Sequence, residues 1–296
     1  MYLLIGGGGY LGSYVLNAIN EMTNEPVIAT SRDISCFKNS ERVTWQQFAF
    51  NDHESICALN RLLKNYSKVK VIFLPAFFNT KDKEEEKKIA WQANVVDFAA
   101  FLRDFECPGM ECFYSTSTDM LFKYSREEPY SEHDDIAPMN DYARDKAIQE
   151  RMMEALGYNV VRFPVMMGPS LSPKKKHFFD AIISSFSEGK SMQFFTDACR
   201  SMIDFGTAAE MLVRLTASEK ARNYPVVNIA GDESLSKYEM ACRIADKYGY
   251  SRDLAVPVSI DDDRTIWNGT RPKKVLLDNT LLKKILGIES VKFKVL

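Results

Sequence analysis

Tyr2-Leu-Leu-Ile5-Gly6-Gly-Gly-Gly9-Tyr10-Leu11-Gly12 opens the chain with a short apolar run that glycines bring to a stop. Leu11, Val15, Ala18 and Ile19 then recur at helical spacing, so the glycines lie between a buried strand and a helix. The skeleton Gly6-x-x-Gly9-x-x-Gly12 provides what a diphosphate-binding turn requires. It allows a tight bend, close approach of backbone N–H groups to an anion, and close packing of helix on strand. Gly6, Gly9, Tyr10, Leu11 and Gly12 are therefore expected around the diphosphate of a dinucleotide.

Outward from this turn, strand and helix alternate. Pro26–Thr30 reads as a second strand, Val43–Phe48 as a weaker third, Val69–Leu74 as a fourth, Glu111–Tyr114 as a fifth and Asn159–Phe163 as a sixth. Between them, Ile56, Leu59, Leu62 and Leu63 share one helical face. A second helix carries Ile89, Val95, Val96, Phe98, Ala99 and Leu102, and a third spans Ala143–Leu156. This alternation predicts an α/β fold, a doubly wound parallel sheet of the Rossmann type with ligands at the carboxyl ends of the strands. Past Gly168-Pro169 the pattern loosens. We expect a dinucleotide-binding domain over 1–165, with a segment around 200–230 returning to it through Pro225–Ile229. Residues 166–199 and 231–296 would form a smaller mixed α/β substrate lobe.

Composition narrows the function. The chain has 296 residues, 46% of them hydrophobic and 26% charged, which excludes a disordered or collagen-like protein. A net charge of −2 argues against a broad grip on nucleic acid. Cys36, Cys57, Cys107, Cys112, Cys199 and Cys242 form no Cys-x-x-Cys pair, which suggests reduced thiols and a cytoplasmic setting. His53, His133 and His177 are too scattered to suggest a metal site. The apolar opening at Met1–Leu4 breaks at Gly6, short of a signal peptide, and no later run is long enough to span a membrane.

The second strand ends Thr30-Ser31-Arg32. Two hydroxyls and a guanidinium there suit a 2′-phosphate, so NADP is expected, with NAD as the alternative if Asp33 reaches the ribose. Farther on, Tyr142-Ala-Arg-Asp-Lys146 places a phenol and an ammonium on one helical face. A neighbouring ammonium, aided by an oxidised nicotinamide, is expected to lower a phenol's pKa from its usual ~10 and fit it for proton transfer to or from a carbonyl oxygen. Tyr66 and Lys70 share the spacing but straddle the entry to a strand, so that pair is accidental. Thr118 follows the fifth strand, where its hydroxyl could hold a substrate oxygen. Ser115, Thr116 and Ser117 read as loop hydroxyls capping backbone groups.

Several motifs together resemble the extended short-chain dehydrogenases/reductases. They are Gly6-x-x-Gly9-x-x-Gly12, Ser117-Thr118-Asp119 with Phe122, Pro129-Tyr130-x-Glu132 and Pro138-x-Asn140-x-Tyr142-x-x-x-Lys146. Arg162-Phe-Pro, Gly168-Pro169, Arg271-Pro272, Leu277-Asp278 and Leu286-Gly287 continue the pattern. Within that family the chain is most similar to dTDP-4-dehydrorhamnose reductase and related sugar-nucleotide reductases and epimerases. The resemblance implies Thr118, Tyr142 and Lys146 as the catalytic trio, with Lys146 also holding the nicotinamide ribose. It implies cofactor contacts near Ala76 and Pro164, and substrate contacts from Thr118, Arg200 and Arg271, the two arginines on a diphosphate. Asn94 matches a common family asparagine, and equally a buried asparagine bonded to backbone.

The activity implied by the resemblance is that of an NADP(H)-dependent reductase of a 4-keto nucleotide-activated sugar, with a homodimer allowed for. Asp197-Ala-Cys-Arg200-Ser-Met-Ile203-Asp204 departs from the reductase pattern toward that of the epimerases, which keeps an epimerase open. The family also contains dinucleotide-binding regulatory subunits that have lost the reaction. Met120 stands where the 4,6-dehydratases carry a glutamate acid/base, which disfavours that branch.

Overall fold

The computed structural model describes residues 1–78, 83–123, 125–173, 176–262 and 272–294. Seven strands form one parallel sheet: β1 (Tyr2–Ile5), β2 (Val27–Ser31), β3 (Val43–Gln47), β4 (Val69–Phe73), β5 (Met110–Thr118), β6 (Asn159–Phe163) and, arriving from later in the chain, β11 (Val226–Asn228). Their order, β11-β6-β5-β4-β1-β2-β3, reverses direction beside β1, which opens the ligand crevice there. The expected doubly wound α/β fold is what the chain adopts.

Alternation along the strands builds two cores. Tyr2 and Leu4 face one side with α1 (Tyr10–Met22) and α7 (Phe205–Ala217). Leu3 and Ile5 face the other with α2 (His53–Leu63), α4 (Asp97–Asp104) and α5 (Asp141–Ala155). The central strands are thus apolar on both faces, as a parallel sheet covered twice requires, whereas the edge strand β3 buries Val43 and Trp45 on one face and turns Thr44 outward. The remaining short strands are β7 (Met166–Met167), β8 (Met192–Phe195), β9 (Cys199–Ser201), β10 (Ile203–Asp204), β12 (Ser234–Ser236), β13 (Ala255–Val258) and β14 (Lys274–Val275). With α6 (Phe178–Ser187) and α8 (Lys237–Tyr248) several of them enclose a separate apolar cluster around Phe186, Phe194 and Ile244. α9 (Thr280–Leu286) returns to pack against α7 and β11. Among the described residues no helix is long and apolar enough to cross a membrane.

Two elements differ from the sequence expectation. The helix expected to run through Ile89–Leu102 is α3 (Glu84–Trp91), a π-helical turn at Gln92–Val96, and α4. β5 runs on to Thr118, so Ser115, Thr116 and Ser117 are strand residues paired with Val160, Val161 and Arg162 rather than loop caps. Pairing with β6 on one side satisfies the backbone that would otherwise have sought hydroxyl partners.

Candidate active site

The glycine turn is tight enough to tolerate nothing larger at its last position. A Cβ on Gly12 would lie 2.2 Å from the Gly6 carbonyl oxygen, and Gly6 itself bends at φ +88°. α1 begins at Gly9 with no side-chain cap and no acidic residue in its first turn, so its leading N–H groups keep their preference for an anion. Tyr10 points elsewhere: its ring meets His177 edge-on at 5.3 Å and its hydroxyl donates to the Lys176 carbonyl. Leu11 packs against the core. Tyr14 donates to the Pro169 carbonyl at 2.7 Å and Ser172 to the Gly8 carbonyl at 2.8 Å, so the chain after β7 crosses the start of α1.

At the end of β2, Ser31 lies against Gly8, whose missing side chain makes the room: a Cβ there would lie 3.0 Å from the Ser31 hydroxyl. Arg32 is exposed beside it and makes no ion pair among the described residues. Asp33 accepts from the Ser35 N–H at 2.8 Å in a local turn. Sequence reasoning missed Phe37, which stacks on Trp45 at 3.9 Å and abuts Gly8. It sits in an irregular stretch with no periodic signal to single it out.

Ala76 follows β4 in a stretch pinned from the π-turn. Asn94 is buried there, its Oδ1 accepting from the Phe77 N–H at 2.8 Å and its Nδ2 donating to the Phe77 carbonyl at 2.8 Å. The same Nδ2 reaches the Asp145 carboxylate at 3.0 Å. Asn94 thus bonds to backbone, one of its two sequence readings, and ties the stretch after β4 to α5.

α5 starts at Asn140, whose side chain caps the Ala143 N–H at 2.9 Å. Tyr142, one turn ahead of Lys146, lines a cavity of about 340 Å³ together with Ser117, Thr118, Asp119, Pro164 and Arg200. Its ring meets Phe78 edge-on at 4.8 Å. The Thr118 hydroxyl accepts from the Met120 N–H at 3.2 Å and caps the short turn Asp119–Leu121. Ser117 reads as a loop cap in the sequence, yet its residue lines the cavity and its buried hydroxyl has no hydrogen-bond partner among the described residues. The rest of the wall is markedly apolar, with Met120, Met139, Met166, Met167, Met202 and several phenylalanines.

Lys146 is buried beneath this wall. Its ammonium donates to the Thr116 carbonyl at 2.9 Å and to Gln149 Oε1 at 2.8 Å. Burial pulls it down to about 8, while Glu150 and Asp145 hold its proton on. Tyr142 corrects an expectation. Burial, with the Asp119 and Asp145 carboxylates, pushes its phenol above its ordinary value instead of lowering it. With its ammonium drawn toward Thr116 and Gln149, Lys146 is not among the causes that act on the phenol.

Arg200 stands in the same wall. It reaches the cavity, but its guanidinium donates to the carbonyls of Cys199 at 2.7 Å, Pro272 at 2.8 Å and Lys273 at 3.2 Å. Its Nε lies 3.5 Å from the Asp119 carboxylate. The guanidinium thus ties β9 to the segment before β14 and to the end of β5. Arg271 lies outside the described residues.

The pattern of the RmlD substrate binding domain matches residues 1–295. Methionine adenosyltransferase 2 subunit beta of Mus musculus is 24% identical over 296 residues, covering 97% of this chain and 82% of that protein. UDP-glucose 4-epimerase of Rhizobium leguminosarum bv. trifolii is 22% identical over 153 residues, 51% of this chain and 45% of its own. Among solved structures, dTDP-4-dehydrorhamnose reductase from Bacillus anthracis in complex with NADP superposes with a TM-score of 0.76 at 17% identity, covering 98% of this chain and 94% of that one. The match along almost the entire length, with the glycine turn and the Tyr142–Lys146 helix at the carboxyl edge of the sheet, means that the chain belongs to the RmlD substrate binding domain family, of the extended short-chain dehydrogenase/reductase fold.

Proposed function

We propose that the protein is an NADP(H)-dependent reductase of a 4-keto nucleotide-activated sugar. The observation that carries this reading is that Tyr142 lines a cavity at the carboxyl end of the sheet together with Thr118 and Ser117, with Lys146 buried one helical turn further along α5. The uncapped start of α1 and its Gly12 contact suit a dinucleotide diphosphate, and Ser31 and exposed Arg32 suit a 2′-phosphate. Ala76 and Pro164 would flank the same cofactor, and Lys146 would hold its nicotinamide ribose. When bound, the dinucleotide supplies a hydride.

The chain's own groups manage the proton. Burial and two carboxylates keep the Tyr142 phenol protonated, so it carries the proton that a carbonyl oxygen would take as hydride arrives. Thr118 orients that oxygen, and the Met and Phe wall keeps water from the reacting carbon.

The test supplies NADPH and a nucleoside-diphosphate 4-keto-6-deoxy sugar. Tyr142→Phe should lose roughly 10²–10⁴-fold in turnover while NADPH still binds, and Arg32→Ala should narrow the preference for NADPH over NADH. Unchanged turnover in Tyr142→Phe would refute the assignment. A second reading is favoured by the match over 97% of the chain to methionine adenosyltransferase 2 subunit beta, namely a dinucleotide-binding regulatory subunit. Dinucleotide binding with no turnover on any keto sugar would select it.

A further inference from the structure

Gln149 is almost fully buried one helical turn beyond Lys146, on the face of α5 that meets the π-turn. It makes two bonds of opposite sense. Its Oε1 accepts from the Lys146 ammonium at 2.8 Å and its Nε2 donates to the Asn94 carbonyl at 2.5 Å. An ammonium only donates and a carbonyl only accepts, so a link between them must accept at one end and donate at the other. A primary amide does this, and these two partners leave it a single orientation. Glutamate would face the carbonyl with a second acceptor, and leucine would take one acceptor from the ammonium and the side-chain donor from the Asn94 carbonyl in a dry interior.

From this bridge we infer that Gln149 is a positioning residue for Lys146: it holds the ammonium in place against Thr116 and keeps it charged by anchoring it to the backbone of the π-turn. The ribose-holding part of this inference rests on the reductase reading above, but the bridge itself does not. Two ammonium protons are committed, to Thr116 and Gln149, which leaves the third for a bound ribose. The charges that bear on Lys146 come from its own helix, Glu150 and Asp145. Glu150 is in turn paired with Arg162 of β6 at 2.8 Å, and Asp145 receives the Asn94 amide. β5 and the π-turn face it with uncharged groups, the Thr116 carbonyl and Asn94, while Asp119, beyond the end of β5, acts on Tyr142. The acceptor from Gln149 therefore supplies stabilisation of the ammonium that burial opposes.

The test is an NMR titration of the Lys146 side chain in the intact protein without ligand, with Lys146→Met used to assign the signal. In Gln149→Leu the midpoint should fall by at least about half a pH unit, and in Gln149→Glu it should rise, because one change removes an acceptor and the other adds a negative charge. A merely structural role would not move the two in opposite directions. Equal midpoints in folded Gln149→Leu, Gln149→Glu and wild type would overturn the inference. Should either variant fail to fold, the wild-type Gln149 side-chain amide gives the answer. Its resonance should titrate with the Lys146 midpoint and lose that step in Lys146→Met, and a pH-independent amide would overturn the inference. None of these readouts needs turnover, so failure of the reductase reading and failure of the bridge are seen separately.

Discussion

At the scale of single residues, burial does more than neighbouring charge. The pair Tyr142 and Lys146 is plain in the sequence, but the expected field of one on the other is not what the fold delivers, since burial raises the phenol and lowers the ammonium. This sets the sign of the pH response. Below about 8 the ammonium is charged and can hold a cofactor ribose hydroxyl with full strength; above it that grip fades. Turnover in the reducing direction should therefore fall as pH rises through this region. A pH–rate profile checks it, and a rate that stays level to pH ~10, the ordinary range of phenols and lysines, would show that the charge is not used.

At the scale of elements, the π-turn joins the stretch after β4 to α5. One extra residue in the turn alters the phase of the helix, so that Asn94 offers its side chain to Phe77 and Asp145 and its carbonyl to Gln149. Asn94→Leu strands the Phe77 amide groups and part of the Asp145 carboxylate in a buried place. It should cost on the order of 3 kcal/mol in a urea melt, and it should weaken dinucleotide binding as the stretch around Ala76 loosens. A variant as stable as wild type would show that water replaces the amide. Glycine spacing and the apolar run told of the strand, turn and helix at the N-terminus. Nothing in Glu84–Asp104 signals a widened turn, because both helix types draw on the same residues and only packing on α5 selects between them.

Across the whole molecule, Arg200 links the ends of the site. It joins β9 to the carbonyls of Pro272 and Lys273 and to Asp119 after β5. Arg200→Gln would leave a buried carboxylate and several carbonyls short of donors, so the ligand-free protein should lose roughly 3 kcal/mol of stability by urea unfolding. If the guanidinium instead served a diphosphate, the ligand-free protein would melt as wild type and only nucleotide-sugar affinity would drop. The arginine was legible as part of the site, but its partner was not. Arginine suits a carbonyl cluster and a diphosphate equally well, and the choice depends on which segments the chain folds over it.

The sequence by itself determined the parallel sheet, the glycine turn and the Tyr142–Lys146 helix face. These arise from local rules: strand runs apolar on both faces, a turn that admits only glycine, and side chains one helical turn apart. Tertiary structure alone decided that Ser117 lies in a strand with an unpartnered hydroxyl, that Gln149 ties Lys146 to the π-turn, and that Phe37 abuts Gly8. Each of these is a contact between segments far apart in the chain. Its energy depends on which groups are desolvated together, and no local pattern records that.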